Sequence, residues 1–172
     1  MSVLEHMLTP AMKLADAGRA KIDARTTETL THPQARAYAD LYFARVDSGK
    51  PLARADFPSR PLLPFMPHIC LFEPIDEGAD WRLRLVGTAI CRRYGVDATG
   101  FTVSQLYPPE VAQKQIAGYR ETAATRGMHV TKGRIAAAGN DFWDVEFCNL
   151  AIEPPQGSIR WIATGVFVLD GT

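Results

Sequence analysis

The apolar positions of this chain change period along its length, and the change divides it. Near the N-terminus Val3, Leu4, Met7, Leu8 and Met12 recur at helical spacing. That predicts a short amphipathic helix, which needs a partner surface to be stable. Gly18 and the threonine-rich run Thr26 to Thr31 interrupt it. A firmer helix follows. Thr31-His32-Pro33-Gln34 has capping-box spacing with Thr31 as N-cap, and Ala35, Tyr38, Leu41, Tyr42 and Val46 then form one apolar stripe. Gly49 and Pro51 stop it. Residues 50–65 hold four prolines and little periodicity, which predicts an extended linker.

Beyond the linker the period becomes two. A strand is predicted at His68 to Glu73, a turn at Asp76-Glu77-Gly78, and a second strand at Trp81 to Val86. In that strand Trp81, Leu83 and Leu85 alternate with Arg82 and Arg84. Ala89 to Tyr94 reads as a short helix ended by Gly95, and Ser104 to Tyr107 as another short turn. Pro108-Pro109-Glu110 opens the longest helix, since proline suits a first turn; Ala112, Ile116, Tyr119 and Ala123 give its buried stripe and Gly127 ends it. Three strands then follow, His129 to Ala137, Phe142 to Ile152 and Ile159 to Leu169. They are joined by Gly139-Asn140, a hairpin signal, and by the turn Pro154 to Gly157. The predicted fold class is α+β. It has a five-stranded antiparallel sheet in spatial order 2-1-5-4-3, the helix from about Pro109 to Arg126 across one face, and an N-terminal helical extension. The extension covers residues 1–50 and the main domain 51–172.

Composition narrows the function classes. With 47% apolar residues a chain of 172 can bury a real core. Lysine plus arginine equals aspartate plus glutamate at 19 each, which argues against nucleic-acid binding, and no polybasic run suggests a membrane surface. Met1 to Leu14 is broken by Glu5, His6 and Lys13, so it does not read as a signal peptide. No stretch approaches a membrane span. Cys70, Cys91 and Cys148 are odd in number and lack C-x-x-C spacing, which fits small buried hydrophobes in a reduced, cytoplasmic setting.

Catalytic and metal chemistry finds little support. His6, His32, His68 and His129 share no i, i+4 spacing, so no metal site is expected. No G-x-S-x-G occurs. Asp144 and Glu146 lie on the same face of one strand; a solvated outer face outweighs a paired-carboxylate site as the reading of that pair. Tyr94, Tyr107, Tyr119, Trp143 and Phe147 are the candidates to converge between helix and sheet, with His129 opening a strand beside them.

The chain resembles a PAS sensor domain from about Pro51 to Thr172. The resemblance rests on Gly95-Val-Asp-Ala-Thr-Gly100 followed by Leu106-Tyr-Pro108, on the stretches Leu62 to Glu73 and Trp81 to Ile90, and on the ending Leu169-Asp-Gly-Thr172. It is most similar to small bacterial PAS-like proteins in which the domain stands almost alone. The resemblance implies a non-catalytic sensor or regulatory protein in signal transduction. In that family the space between helix and sheet either holds a small ligand or is packed. The pocket candidates are then Tyr94, Tyr107, Tyr119, His129, Trp143 and Phe147. Haem-binding relatives use a histidine on the core helix, which has none here. Flavin-binding photosensors carry a reactive cysteine in the stretch matching Gln105 to Val111, which has none either. No cofactor is therefore expected. Gly87-Thr88-Ala89 replaces a usual asparagine. With no output domain after Thr172, signal would leave through the sheet or the N-terminal helices, to a signalling protein such as a histidine kinase or to a second copy. The expected homodimer interface includes Tyr38, Leu41, Tyr42 and Val46. A different class competes: an enzyme or carrier with a cone-shaped cavity, like ketosteroid isomerase, which needs an Asp or His base in an apolar cavity. That fold places its long helices before most of its sheet, the reverse of the order here.

Overall fold

The computed structural model describes residues 14–17, 21–23, 30–136 and 142–169. Its strands are β1 (Leu14–Ala17), β2 (Lys21–Asp23), β3 (Ile69–Ile75), β4 (Asp80–Val86), β5 (Met128–Ala136), β6 (Phe142–Ile152) and β7 (Trp161–Val168). The helices are α1 (Pro33–Asp47), α2 (Thr88–Tyr94), α3 (Val103–Leu106) and α4 (Pro109–Thr125). The five long strands are antiparallel and lie in the order β4-β3-β7-β6-β5. This is the expected 2-1-5-4-3 arrangement.

The extension departs from expectation. It is helical at Pro33–Asp47, but β1 and β2 both pair antiparallel with β5. Leu14 sits opposite Ile135 and Asp23 opposite Met128, so the two run along β5 as one interrupted strand. The physical reason is that β5 ends the long-stranded sheet and would otherwise present a row of unpaired N–H and C=O groups. The helix expected around residues 3–12, the Gly139-Asn140 turn and residues 170–172 lie outside the described residues.

The sheet is covered on both faces. β7, Trp-Ile-Ala-Thr-Gly-Val-Phe-Val, is buried along almost its whole length, and its near-continuous apolar run suits a strand with no solvated face. One face carries α2, α3 and α4 over a core that includes Phe72, Trp81, Tyr119 and Phe147. The other carries α1 and the segment after it. There Ala35, Tyr38, Ala39, Tyr42 and Phe43 are buried with Leu52, Phe57, Leu62, Cys148 and Leu150. Residues 50–65 are thus no loose tether. Short 3-10 turns at Arg54–Asp56 and Arg60–Leu62 let their apolar side chains complete this second core.

Two local features explain sequence patterns. His32, not Thr31, is the N-cap of α1; its Nδ1 accepts the Gln34 N–H at 3.1 Å. Gly87 opens α2 with its α-carbon against the Met66–Pro67 backbone: a Cβ there would lie 2.2 Å from the Pro67 carbonyl oxygen. Only glycine fits that close approach.

Candidate functional site

The alternation along β6 puts consecutive residues to work on opposite faces. Phe147 faces α4 and Glu146 faces α1. On the α4 side, side chains from β3, β4, α2, α4, β6 and β7 enclose a cavity of about 30 Å³. That is room for roughly two waters, given 10–15 Å³ for one. Its wall is mostly apolar, with Phe72, Ile90, Tyr107 and Phe147 prominent, and its polar corner is Gln115, Tyr119 and Thr164. Gln115 Nε2 donates to the Tyr119 hydroxyl at 3.0 Å, and Tyr119 also shares a hydrogen bond with Thr164. Burial pushes the Tyr119 phenol well above its ordinary range. Burial likewise pushes the Cys70 thiol, in the same wall, up to about 12. Both stay protonated at neutral pH.

The polar corner continues across the sheet. Thr164 Oγ1 donates to Asn149 Oδ1 at 2.7 Å, and Asn149 Nδ2 donates to the His129 carbonyl at 3.2 Å with His129 Nδ1 3.5 Å away. The register places these residues directly opposite one another on β7, β6 and β5. Such a satisfied buried network fixes the alignment of three strands. His129 does not reach the cavity. Its ring packs under Gly118 of α4, where a Cβ would lie 2.7 Å from Cε1. Burial holds its pKa below the ordinary value, against a smaller upward pull from Glu121.

Of the expected pocket residues, Tyr107, Tyr119 and Phe147 meet at this cavity. His129 is displaced to the network behind it. Trp143 lines a separate crevice beside Arg93. The Tyr94 side chain is outside the described residues. Of the expected interface residues, Tyr38 and Tyr42 are corrected: both are fully buried on the chain's own sheet, because its second face is apolar and α1 covers it. The Tyr38 hydroxyl donates to the Ala163 carbonyl at 3.2 Å. Leu41 and Val46 are only partly buried.

Glu146 overturns the solvated-face reading. It has no exposed surface. Its carboxylate accepts from the Thr31 N–H, the Thr31 hydroxyl and the His32 N–H at 2.9–3.1 Å, and Lys132 Nζ lies 3.3 Å away. A carboxylate at the first turn of a helix is favoured by the unpaired N–H groups there and by the dipole. Glu146 therefore bolts the start of α1 to the middle of the sheet. Asp144, two residues earlier, is exposed. Alternation alone cannot show this, because it assigns faces and not what covers them.

Among the described residues no three His, Cys, Asp or Glu side chains gather as a metal site would require, and no helix is long and apolar enough to cross a membrane. Comparison with known proteins returned no matching family model, no matching curated protein and no matching solved structure.

Proposed function

We propose that the chain is a PAS-like regulatory domain of bacterial signal transduction, acting without catalysis of its own. On this reading the small cavity senses and the α1 layer reports. The observation that carries it is the back-to-back placement on β6: Phe147 walls the cavity while its neighbour Glu146 holds α1. β7 repeats the pattern, with Thr164 and Val166 in the cavity wall and Ala163 and Phe167 beneath Tyr38. A shift of these strands on one face must be felt on the other, because close-packed interiors transmit displacement.

The cavity chemistry suits a small, neutral, largely apolar occupant with one hydrogen-bonding group, since among the described residues no charged side chain lines it. It also weighs against the cone-cavity enzyme. That reading needs a carboxylate or imidazole base in the wall, whereas the polar groups here are an amide, a hydroxyl, a phenol and a thiol, the last two held protonated. The partner is a second copy or a signalling protein such as a histidine kinase. It would meet the outer side of the α1 layer, where Leu41 and Val46 are part-exposed and Leu63 is 56% exposed.

Native mass spectrometry of freshly purified protein reports bound small molecule and oligomeric state together. Hydrogen exchange then tests the coupling. Phe147→Leu changes the cavity wall without touching α1, and the reading expects faster exchange at Thr31 to Arg36. Unchanged exchange there, with the cavity variant folded, contradicts it.

A further inference from the structure

A second concavity lies beside the cavity just described, separated from it by Ile90 and Val166, which line both. It is a crevice of about 10 Å³ between α2 and the start of β6. Arg93 spans it, with its guanidinium carbon 4.8 Å from the centre of the Trp143 ring. That stacking is favourable, yet it leaves polar atoms unanswered. Arg93 Nη1 and Trp143 Nε1 are both buried, and neither has a hydrogen-bond partner among the described residues. Arg93 also makes no ion pair among the described residues. His68 completes the polar lining; Val145, Val166 and Val168 close the rest.

Buried N–H groups are almost always paired, and two orphan donors on residues that line one crevice call for an acceptor. We propose that this crevice is a small-anion site. It takes a single monovalent ion of chloride size on the Arg93 and Trp143 N–H groups, beside His68. Three features decide the ligand class. The volume holds one water-sized body and no more. The two orphans are donors, one of them cationic. The side chains around them are aliphatic, so a water placed there would satisfy both donors but find only His68 as an acceptor for its own two protons. An anion, which accepts and never donates, matches the lining. The imidazole of His68 is held below the ordinary histidine value mainly by burial, with Arg93 and His32 adding to the shift.

The site differs from the neutral cavity in charge and in occupant, so it stands or falls separately from the sensor reading. The test exchanges sodium gluconate for sodium chloride or bromide at constant ionic strength. Bromide quenches a tryptophan it touches, and Trp81 and Trp161 are buried elsewhere. Wild type should show saturable bromide quenching, and a saturable rise in unfolding temperature with chloride. Arg93→Gln should weaken both roughly tenfold or more, the scale of a lost charge-assisted hydrogen bond. Trp143→Phe should abolish the quenching and weaken the chloride-dependent thermal shift. Linear, unsaturating quenching in wild type overturns the proposal, as does a chloride shift in both variants as large as in wild type. If Arg93→Gln does not fold, the Trp143→Phe thermal shift decides alone.

Discussion

Replacing Glu146 with glutamine keeps the shape of the side chain and removes its charge. The carboxylate receives two backbone N–H groups, one hydroxyl and an ammonium, from a position with no exposed surface. Glutamine retains one acceptor oxygen and turns an NH2 toward donors; with that oxygen at the Oε1 position both backbone N–H groups keep an acceptor, but the Thr31 hydroxyl and the Lys132 ammonium lose theirs at Oε2, and the charge behind every contact is gone. Breaking a fully buried ion pair costs about 3–5 kcal/mol. Here Lys132 is 42% exposed, so its part is screened and closer to a surface pair at about 1 kcal/mol or less. The backbone and hydroxyl contacts to a charged group carry the larger share, at about 1.5–3 kcal/mol for each lost bond. The expected loss for Glu146→Gln is about 2–4 kcal/mol. In a domain of this size that lowers the unfolding midpoint by roughly 4–16 °C. Urea denaturation followed by far-UV circular dichroism measures the loss, with Lys132→Met as the control expected to cost about 1 kcal/mol or less. Exchange protection should fall first at the beginning of α1, since the contact is local to it. A Glu146→Gln protein within about 0.5 kcal/mol of wild type, with α1 still protected, would refute the anchoring argument.

Three further outcomes are expected. Gly118→Ala would ordinarily stabilise a helix by up to about 1 kcal/mol. Here the new Cβ meets the His129 ring at 2.7 Å, so a net loss of about 1–3 kcal/mol is expected from overpacking, and a gain in urea midpoint would disprove the contact. The pKa of His129 is lowered by burial, and that of His68 by burial and the nearby cations. The unfolded chain therefore binds protons first, so their contribution is intact above the ordinary value near 6.5 and is lost as pH falls from there toward the lower folded values. His129→Gln should flatten the fall in stability between about pH 7.5 and 5.5, and an unaltered slope counts against it. Burial pushes all three thiols up, but Cys70 and Cys148 are buried while Cys91 is part-exposed. A thiol reagent should thus modify Cys91 first in the native protein and the other two only on unfolding, and native labelling of Cys70 ahead of Cys91 would be inconsistent with the structure.

The sequence showed the sheet more clearly than the site. Alternation placed Trp143, Val145 and Phe147 on one face of β6 with the right phase, and the hairpin of β3 and β4 with the helices that follow emerged near their expected bounds. The stripe on α4 proved right at Ala112, Tyr119 and Ala123. It was silent about Gly118 and Thr122, which face the sheet because small residues there admit the His129 ring. On α1, Ala39 and Phe43 are buried and Leu41 and Val46 only partly so; the buried stripe lies a fraction of a turn from the expected one. Periodicity reports that a face is apolar, not which neighbour covers it. For the same reason Glu146 looked solvated: nothing local in the sequence announces that a helix begun 115 residues earlier will start on top of it. Asn149 and Thr164 carried one usable signal. Both are polar residues flanked by apolar neighbours, and the register makes them partners.

The two borders of the sheet are finished in different ways. At β4 the outward groups of Leu83 are already taken: its N–H donates to the Phe101 carbonyl at 2.9 Å, and its own carbonyl accepts the Gly100 N–H at 2.7 Å. That border is sealed by the loop between α2 and α3, inside the folded domain. At β5 the same service comes from β1 and β2, seven residues in two pieces that pair, among the described residues, with β5 alone. Growth of the sheet by accretion of foreign strands is thus blocked permanently at one end and conditionally at the other. Proteolytic trimming or truncation before Leu30 would bare β5 and leave the helical layers in place. The resulting species would be folded yet one-sidedly adhesive, prone to pair edge to edge in twos rather than to build long fibres, because its far border stays shut.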